Sequence, residues 1–282
     1  MIPTIPRNRT ATWAYNAYIG LFFLYLALPL VVVATFAFND SQFPSLPWKG
    51  FTWDWFFGTA QPKLGVFYES AILGAVGTSV IVGVSVSLIS VAVGTTNAFL
   101  FNRYEFRGKS ALYVLMIVPL VIPGIVLGIS ILVFSSSVAN AAWEGAALDL
   151  VALRPGLTLV VLGQFSFITT ISTLVISARL KSFDRTLEEA ALNLGATQLT
   201  AVRTVTIPYL APALVGAFVV SFLMSFENFN TTLMLVGSDA PLTIAMFDRL
   251  KEGSTPLLNA VSLMLMIGSS LLALVMIVFQ KR

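Results

Sequence analysis

Apolar and polar positions alternate along the chain in long blocks. Six predominantly apolar runs reach the roughly 20 residues that a helix needs to cross a bilayer, at about 16–38, 70–101, 111–136, 156–177, 210–236 and 257–280. They predict an all-α integral membrane protein with six transmembrane helices, a single transmembrane domain over 1–282. The first run follows Arg7 and Arg9. Its uncharged length through Phe38, with no small-residue cleavage site, exceeds a signal-peptide core and predicts a retained helix.

Composition removes most function classes. The 282 residues are 57% hydrophobic and 10% charged, and the mean hydropathy is +0.89, whereas soluble domains carry about 25% charged residues. Cysteine and histidine are both absent, so the chain supplies no disulfide, no Cys/His zinc site, no thiol nucleophile and no histidine base. No catalytic residue, metal ligand or resident cofactor is expected. A net charge of +3 that is scattered along the sequence does not point to nucleic acid.

The basic residues report topology instead. With the N-terminus inside, Arg7, Arg9, Arg103, Arg107, Lys109, Arg179, Lys181, Arg185, Arg203, Lys281 and Arg282 are cytoplasmic, and Lys49, Lys63, Arg154, Arg249 and Lys251 lie outside. Eleven of sixteen on one side follows the positive-inside rule and places both termini in the cytoplasm. The first outer segment, "NDSQFPSLPWKGFTWDWFFGTAQPK", is rich in Trp and Phe. It reads as a membrane-skimming lid or as a docking surface for an outside partner.

Small residues mark where helices meet. Ser79, Gly83 and Ser87 recur every fourth position in the second run, as do Gly124 and Gly128 in the third. Pro119 and Pro123 break the third run and leave carbonyls that neighbours or a wet cavity must satisfy.

The 178–209 segment differs from the rest. It opens "ARLKSFDRTLEEAALNLGA". Thr186 and Glu189 have capping-box spacing, with Asp184 as a competing cap, and Leu187, Ala190, Ala191 and Leu194 share a helical face. Gly195 stops this helix. A second short helix capped by Thr197 is expected to run until Pro208 breaks it before the fifth span. An apolar face with no core of its own needs a groove in a partner. The other reading, a helix pair on the lipid surface, calls for more Lys and Arg than the pair carries beside Glu188 and Glu189.

Glu189-Ala190-Ala191, then Gly195 after three intervening residues, and Val205-Thr206-Ile207-Pro208 after nine more resemble the "EAA" loop of the permease subunits of bacterial ATP-binding-cassette importers. That family usually has Ile and Leu at the positions of Val205 and Ile207, a conservative departure. "FAFNDSQF", "WKGFTWDWF", "NRYEFRGKS" and "SFENFNTTLMLVG" extend the likeness over nearly the whole chain, and they are most similar to the second of the two permeases of spermidine/putrescine importers. Related importers of iron(III), thiamine and other small solutes share much of the pattern. The resemblance implies a type I importer permease fold whose loop forms coupling helices in a cleft of a separate ATPase. Glu189 would pair with a basic residue there, and Gly195 would permit the turn. It also implies a second permease, two ATP-binding subunits carrying ATP and Mg, an extracytoplasmic solute-binding protein, and a bacterial inner membrane.

"RGKS" at 107–110 is a decoy for a phosphate-binding loop. Arg103 stands where that motif needs its first glycine, and no strand precedes it. Arg103, Arg107 and Lys109 read as topology determinants. Glu227, flanked by Asn228 and Asn230, is the acidic residue deep in a predicted span. It reads either as a counter-charge for a cationic solute or as a hydrogen-bonding hub against the partner permease. Ser225 and Thr231 would add neutral contacts. A stand-alone secondary carrier is the rival from another class, but it predicts inverted repeats and matching intramembrane charge in the first half, where none occurs.

Overall fold

A computed structural model describes residues 9–44 and 46–280. Arg7, Lys281 and Arg282, which carry part of the orientation argument, lie outside the described residues. The described residues form α1 (Arg9–Phe36), α2 (Asp54–Phe57), α3 (Ser70–Arg103), α4 (Lys109–Val121), α5 (Gly124–Ala146) and α6 (Leu157–Lys181). After these come α7 (Thr186–Asn193), α8 (Gln198–Ala201), α9 (Ile207–Phe226), α10 (Asn230–Leu235), α11 (Leu242–Glu252) and α12 (Pro256–Gln280). Six helices are long and apolar enough to cross a membrane.

Two expected spans are not continuous. The third splits into α4 and α5 at Ile122-Pro123, because proline removes a backbone donor and drives the preceding residue out of the helical region; Ile122 is extended at φ −76°, ψ 129°. Thr170 donates to the Met116 carbonyl (2.6 Å), a side-chain bond to the kinked helix one turn before Pro119. A groove of about 300 Å³ beside Pro119 is lined by Asn97, Met116, Ser166 and Thr169. The fifth span splits at Glu227 to Phe229, with no proline or glycine at the break. The 242–252 segment, expected as outer loop, is helical as α11.

The chain divides into two compact units, Met1–Ser70 with Arg249–Ile267 and Ala71–Asp248 with Gly268–Arg282. In the first, the Trp-rich segment after α1 is a folded element. Asn39 and Phe51 form an antiparallel bridge, and the indole N–H of buried Trp55 donates to the Asn39 carbonyl (2.9 Å). Phe38 stacks on Phe51 at 5.0 Å and meets the edge of Trp53 at 4.9 Å. Lys63 pairs with Asp40 and reaches Asp54 at 3.6 Å. The hydrogen bond to Asp40, aided by Asp54, raises the Lys63 ammonium above its ordinary value. That contribution is complete at neutral pH and is lost only as pH rises through the raised value. Glu69, just before α3, pairs with Arg249 (2.9 Å).

In the second unit α6 is the central helix. Val82, Val86, Leu159, Val160, Ile168 and Leu235 form one buried cluster, and Ala98, Ile176, Leu180, Phe183, Leu210 and Ala217 another. The small residues act as expected. A Cβ on Gly83 would lie 2.9 Å from the Phe222 ring, and one on Gly128 would lie 3.0 Å from the Met234 Cβ. Gly94, in the small-residue series Ser90, Gly94 and Ala98 of the same helix, is as tight: its Cβ would sit 2.8 Å from Ser172 Cβ and 3.0 Å from the Thr173 backbone nitrogen. Gly77, on the same helix, has open space around it. Gly94→Val is therefore expected to lower stability by about 1–3 kcal/mol, the usual cost of overpacking, and Gly77→Val to leave it within about 0.5 kcal/mol. Thermal melts of the two variants in the same detergent check this; equal melting temperatures would contradict the packing at Gly94.

Candidate functional site: the coupling loop and the broken fifth span

The start of α7 is set by Asp184. Its Oδ1 accepts from the Thr186 backbone N–H (3.0 Å). That bond, with a smaller one from the Thr186 side chain, holds the Asp184 carboxyl below its usual range. The competing cap thus prevails over the Thr186–Glu189 capping box, since Thr186 is already the first helical residue and its hydroxyl is past the capping position. At the other end, Gly195 lies at φ 90°. The Ala196 N–H bonds the Ala191 carbonyl and the Gly195 N–H bonds that of Leu192, at 3.1 and 2.9 Å. This is a Schellman closure, which favours glycine at the left-handed position. Thr197 caps α8 as expected, accepting from the Thr200 N–H (3.2 Å).

Pro208 does not break the chain. The helix passes from α8 through a π segment, Val202–Thr206, into α9, with Pro208 in the first turn. The Ile207 N–H reaches the Val202 carbonyl. A wider turn accommodates a proline whose missing donor would otherwise be felt one turn earlier.

The two glutamates of the motif have separate fates. Glu188 is engaged within the chain: Arg103, on the last turn of α3, meets its carboxylate with two parallel bonds of 2.8 and 2.9 Å. The buried Thr206 hydroxyl of the π segment donates to the same carboxylate. Arg103 is also flanked by the rings of Phe99 and Phe183, and Arg185 donates to the Asn102 carbonyl (3.0 Å). Arg103 is therefore a structural anchor as well as a basic residue near the membrane face. Glu189 is exposed, and its side chain makes no hydrogen bond or ion pair among the described residues. Ala190 is exposed and Ala191 half-buried. Leu187 is 51% exposed and Leu194 90%. Val205 packs against the cluster around Phe183 and Leu210; Ile207 is half-buried and Pro208 exposed.

At the fifth-span break the predicted residues part. Ser225 and Thr231 are buried, Ser225 donating to Gln164 and Thr231 to the Gly124 carbonyl (3.3 Å). They are held by the protein rather than offered to a solute. Asn228 is half-buried, and its Oδ1 accepts from the Thr232 backbone N–H (3.2 Å) and hydroxyl (3.0 Å). Glu227 and Asn230 are exposed, and the Glu227 carboxylate has no partner among the described residues. Glu227 ends α9 rather than sitting inside a continuous span. Gln164, only 1% exposed, was not singled out from sequence. Its signal is a lone amide in an apolar run.

Residues 90–282 match the family model described as binding-protein-dependent transport system inner membrane component. The chain belongs to this family. It is a permease subunit of an ABC importer. It is 28% identical over 268 residues to the spermidine/putrescine transport system permease protein PotC of Haemophilus influenzae, covering 94% of this chain and 96% of that one. Against the putrescine transport system permease protein PotI of Escherichia coli it is 26% identical over 247 residues, with coverage of 86% and 82%. A crystal structure of a bacterial ABC transporter involved in import of the acidic polysaccharide alginate shares the fold at a TM-score of 0.70 and 16% identity, covering 96% of this permease and 93% of that chain.

Cutting the anchor should free α7 without unfolding the spans. Arg103→Met removes both bonds to Glu188, and the pair is largely shielded (15% and 16% exposed). A loss of about 1–3 kcal/mol of local stability is expected. Hydrogen exchange across residues 186–201 should quicken about tenfold, while α6 stays protected. Unchanged exchange in the loop would contradict the anchoring role.

Proposed function

We propose that this permease forms half of the translocation pathway for a polyamine or another organic cation, and that a separate ATPase drives it through the α7–α8 loop. The observation that carries the reading is the division between the two glutamates. Glu188 is committed within the chain, whereas Glu189 stands free beside the exposed Leu187, Leu194 and Leu199. An exposed apolar face with one acidic group suits a groove that offers a basic side chain. Held by Glu188, the loop has a direct connection to α3 through Arg103 and to α9 through Thr206 and the π segment. A push on the loop would therefore reach two spans. The complete importer would contain a second, nonidentical permease, two ATP-binding subunits holding ATP and Mg, and an extracytoplasmic binding protein. It would sit in a bacterial inner membrane with the loop and both termini cytoplasmic, as the basic residues indicate. This chain itself performs no chemistry on the solute.

The cationic solute is supported by the polyamine relatives and by Glu227. A carboxylate exposed at the break of an intramembrane helix attracts a passing cation more strongly than it would in bulk water. Iron(III), thiamine or another small solute is the alternative within the same family. A stand-alone carrier fits poorly with membership of a binding-protein-dependent family.

Two measurements on the reconstituted importer test the reading. Glu189→Ala should weaken binding of the ATPase about tenfold, as for loss of one charge-assisted contact, with membrane insertion intact; unaltered ATPase binding and transport would overturn the docking assignment. Glu227→Gln should cut putrescine uptake about tenfold while ATP hydrolysis without solute persists, and Glu227→Asp should be milder. Uptake indifferent to Glu227→Gln would remove the counter-charge, and loss of assembly would make Glu227 a contact between permeases instead.

A further inference from the structure

We propose that Gln164 is the positioning residue of the pathway: its buried amide holds the two arms of the broken fifth span in register and so sets where Glu227 and Asn230 stand. This rests on the reading of the Glu227 segment as pathway. Gln164 projects from α6, and its two ends engage opposite sides of the break. Its Oε1 accepts from Ser225, near the end of α9, and its Nε2 donates to the Thr232 hydroxyl of α10 (2.8 Å). Thr232 passes the chain on, donating from its hydroxyl to Asn228 Oδ1 (3.0 Å), which also accepts the Thr232 backbone N–H. Thr243 closes the group by donating to the Asn228 carbonyl (3.1 Å). Gln164, Ser225 and Thr232 are between 0% and 4% exposed, so none of them is available to a solute. Their effect on transport must pass through the residues they hold.

The packing around this group fixes α10 on both sides. A Cβ on Gly163 would lie 2.2 Å from the Leu235 Cδ1, and a Cβ on Gly124 would lie 3.1 Å from that of Asn230. The short helix is pressed between α5 and α6 at points where they carry no side chain. Only Glu227, Asn228 and Phe229 separate α9 from α10. A segment this short, tied at both ends to one amide, has little freedom to choose where its exposed residues face. Glutamine suits the task because it is neutral and carries an acceptor and a donor on one rigid plane. A hydrocarbon side chain would leave the buried Ser225 hydroxyl without this acceptor and the Thr232 hydroxyl with Asn228 alone.

The absence of cysteine provides the test. In the assembled importer, Asn230→Cys introduces the chain's one thiol, and its reaction rate with a membrane-impermeant maleimide reports how that position is presented. Adding Gln164→Met should change this rate at least about fivefold, with the melting temperature of the complex shifted by only a few degrees. Gln164→Glu at about pH 5, where a carboxyl shielded from water takes up a proton and regains a donor, should return the rate to within about twofold of the Gln164 background at the same pH. If Gln164→Met prevents assembly, Thr232→Val replaces it, removing the acceptor and leaving the Ser225 bond in place; the same rate change is expected. A thiol that reacts in the Gln164 background at a rate neither Gln164→Met nor Thr232→Val alters would overturn the positioning role alone. A Gln164→Glu protein that behaves as Gln164→Met at low pH would do the same. A thiol that never reacts from either side would overturn the pathway reading, and this proposal with it.

Discussion

Within hydrocarbon no water completes an unmade hydrogen bond, and each polar group left unpaired costs several kcal/mol. That constraint explains why the buried hydroxyls of the described spans are bound. Among the described residues no buried side-chain nitrogen or oxygen lacks a partner. Ser87 and Thr173 return to carbonyls of their own helix, so they bring polarity into the interior at little cost. Other groups cross between helices: Ser172 meets Ser221 at 2.8 Å, and Gln164 joins α6 to α9 and α10. The breaks in the third and fifth spans occur where side-chain donors and acceptors stand ready to bond exposed backbone.

Length and hydrophobic pattern made the six spans legible, because a helix that crosses a bilayer has no shorter solution. Pro119 and Pro123 announced the interruption of the third. The interruption of the fifth was hidden. "SFENFN" has no helix breaker, and the break arises from bonds between residues far apart in sequence, such as Ser225 to Gln164. The helix at 242–252 was missed because its charged residues obscure an apolar face. In the α7–α8 loop the glycine stop and the Thr197 cap were readable as local chemistry. What could not be read was the partner of Glu188, since Arg103 lies 85 positions away. Pro208 misled for a physical reason: proline ends a regular α-helix, but a π turn absorbs it.

The loop and the broken span share a design in which a polar group buried in the chain fixes the direction of an exposed one. Arg103 and Thr206 hold Glu188, and Glu189 next to it faces outward. Gln164 holds Ser225 and Thr232, and Glu227 and Asn230 are left exposed between them. The first pair serves an ATPase groove in the proposed mechanism, and the second serves a cationic solute. The π segment that bonds to Glu188 leads directly into α9, whose far end is the break. Motion of the loop therefore has a continuous route through one helix to the residues proposed to meet solute, with α6 as the packed helix against which that motion occurs.

If, as proposed, a separate ATPase engages this permease at the α7–α8 loop, the two subunits should be within cross-linking reach there. Leu194, the most exposed apolar residue of the loop, is the point to probe. With no native cysteine in the chain, Leu194→Cys gives a unique thiol for a short cross-linker in the assembled importer. A covalent product between this permease and the ATP-binding subunit is expected, with a yield that changes when ATP is bound. A Leu194→Cys thiol that cross-links only to lipid-soluble reagents, and never to the ATP-binding subunit of an active complex, would contradict it.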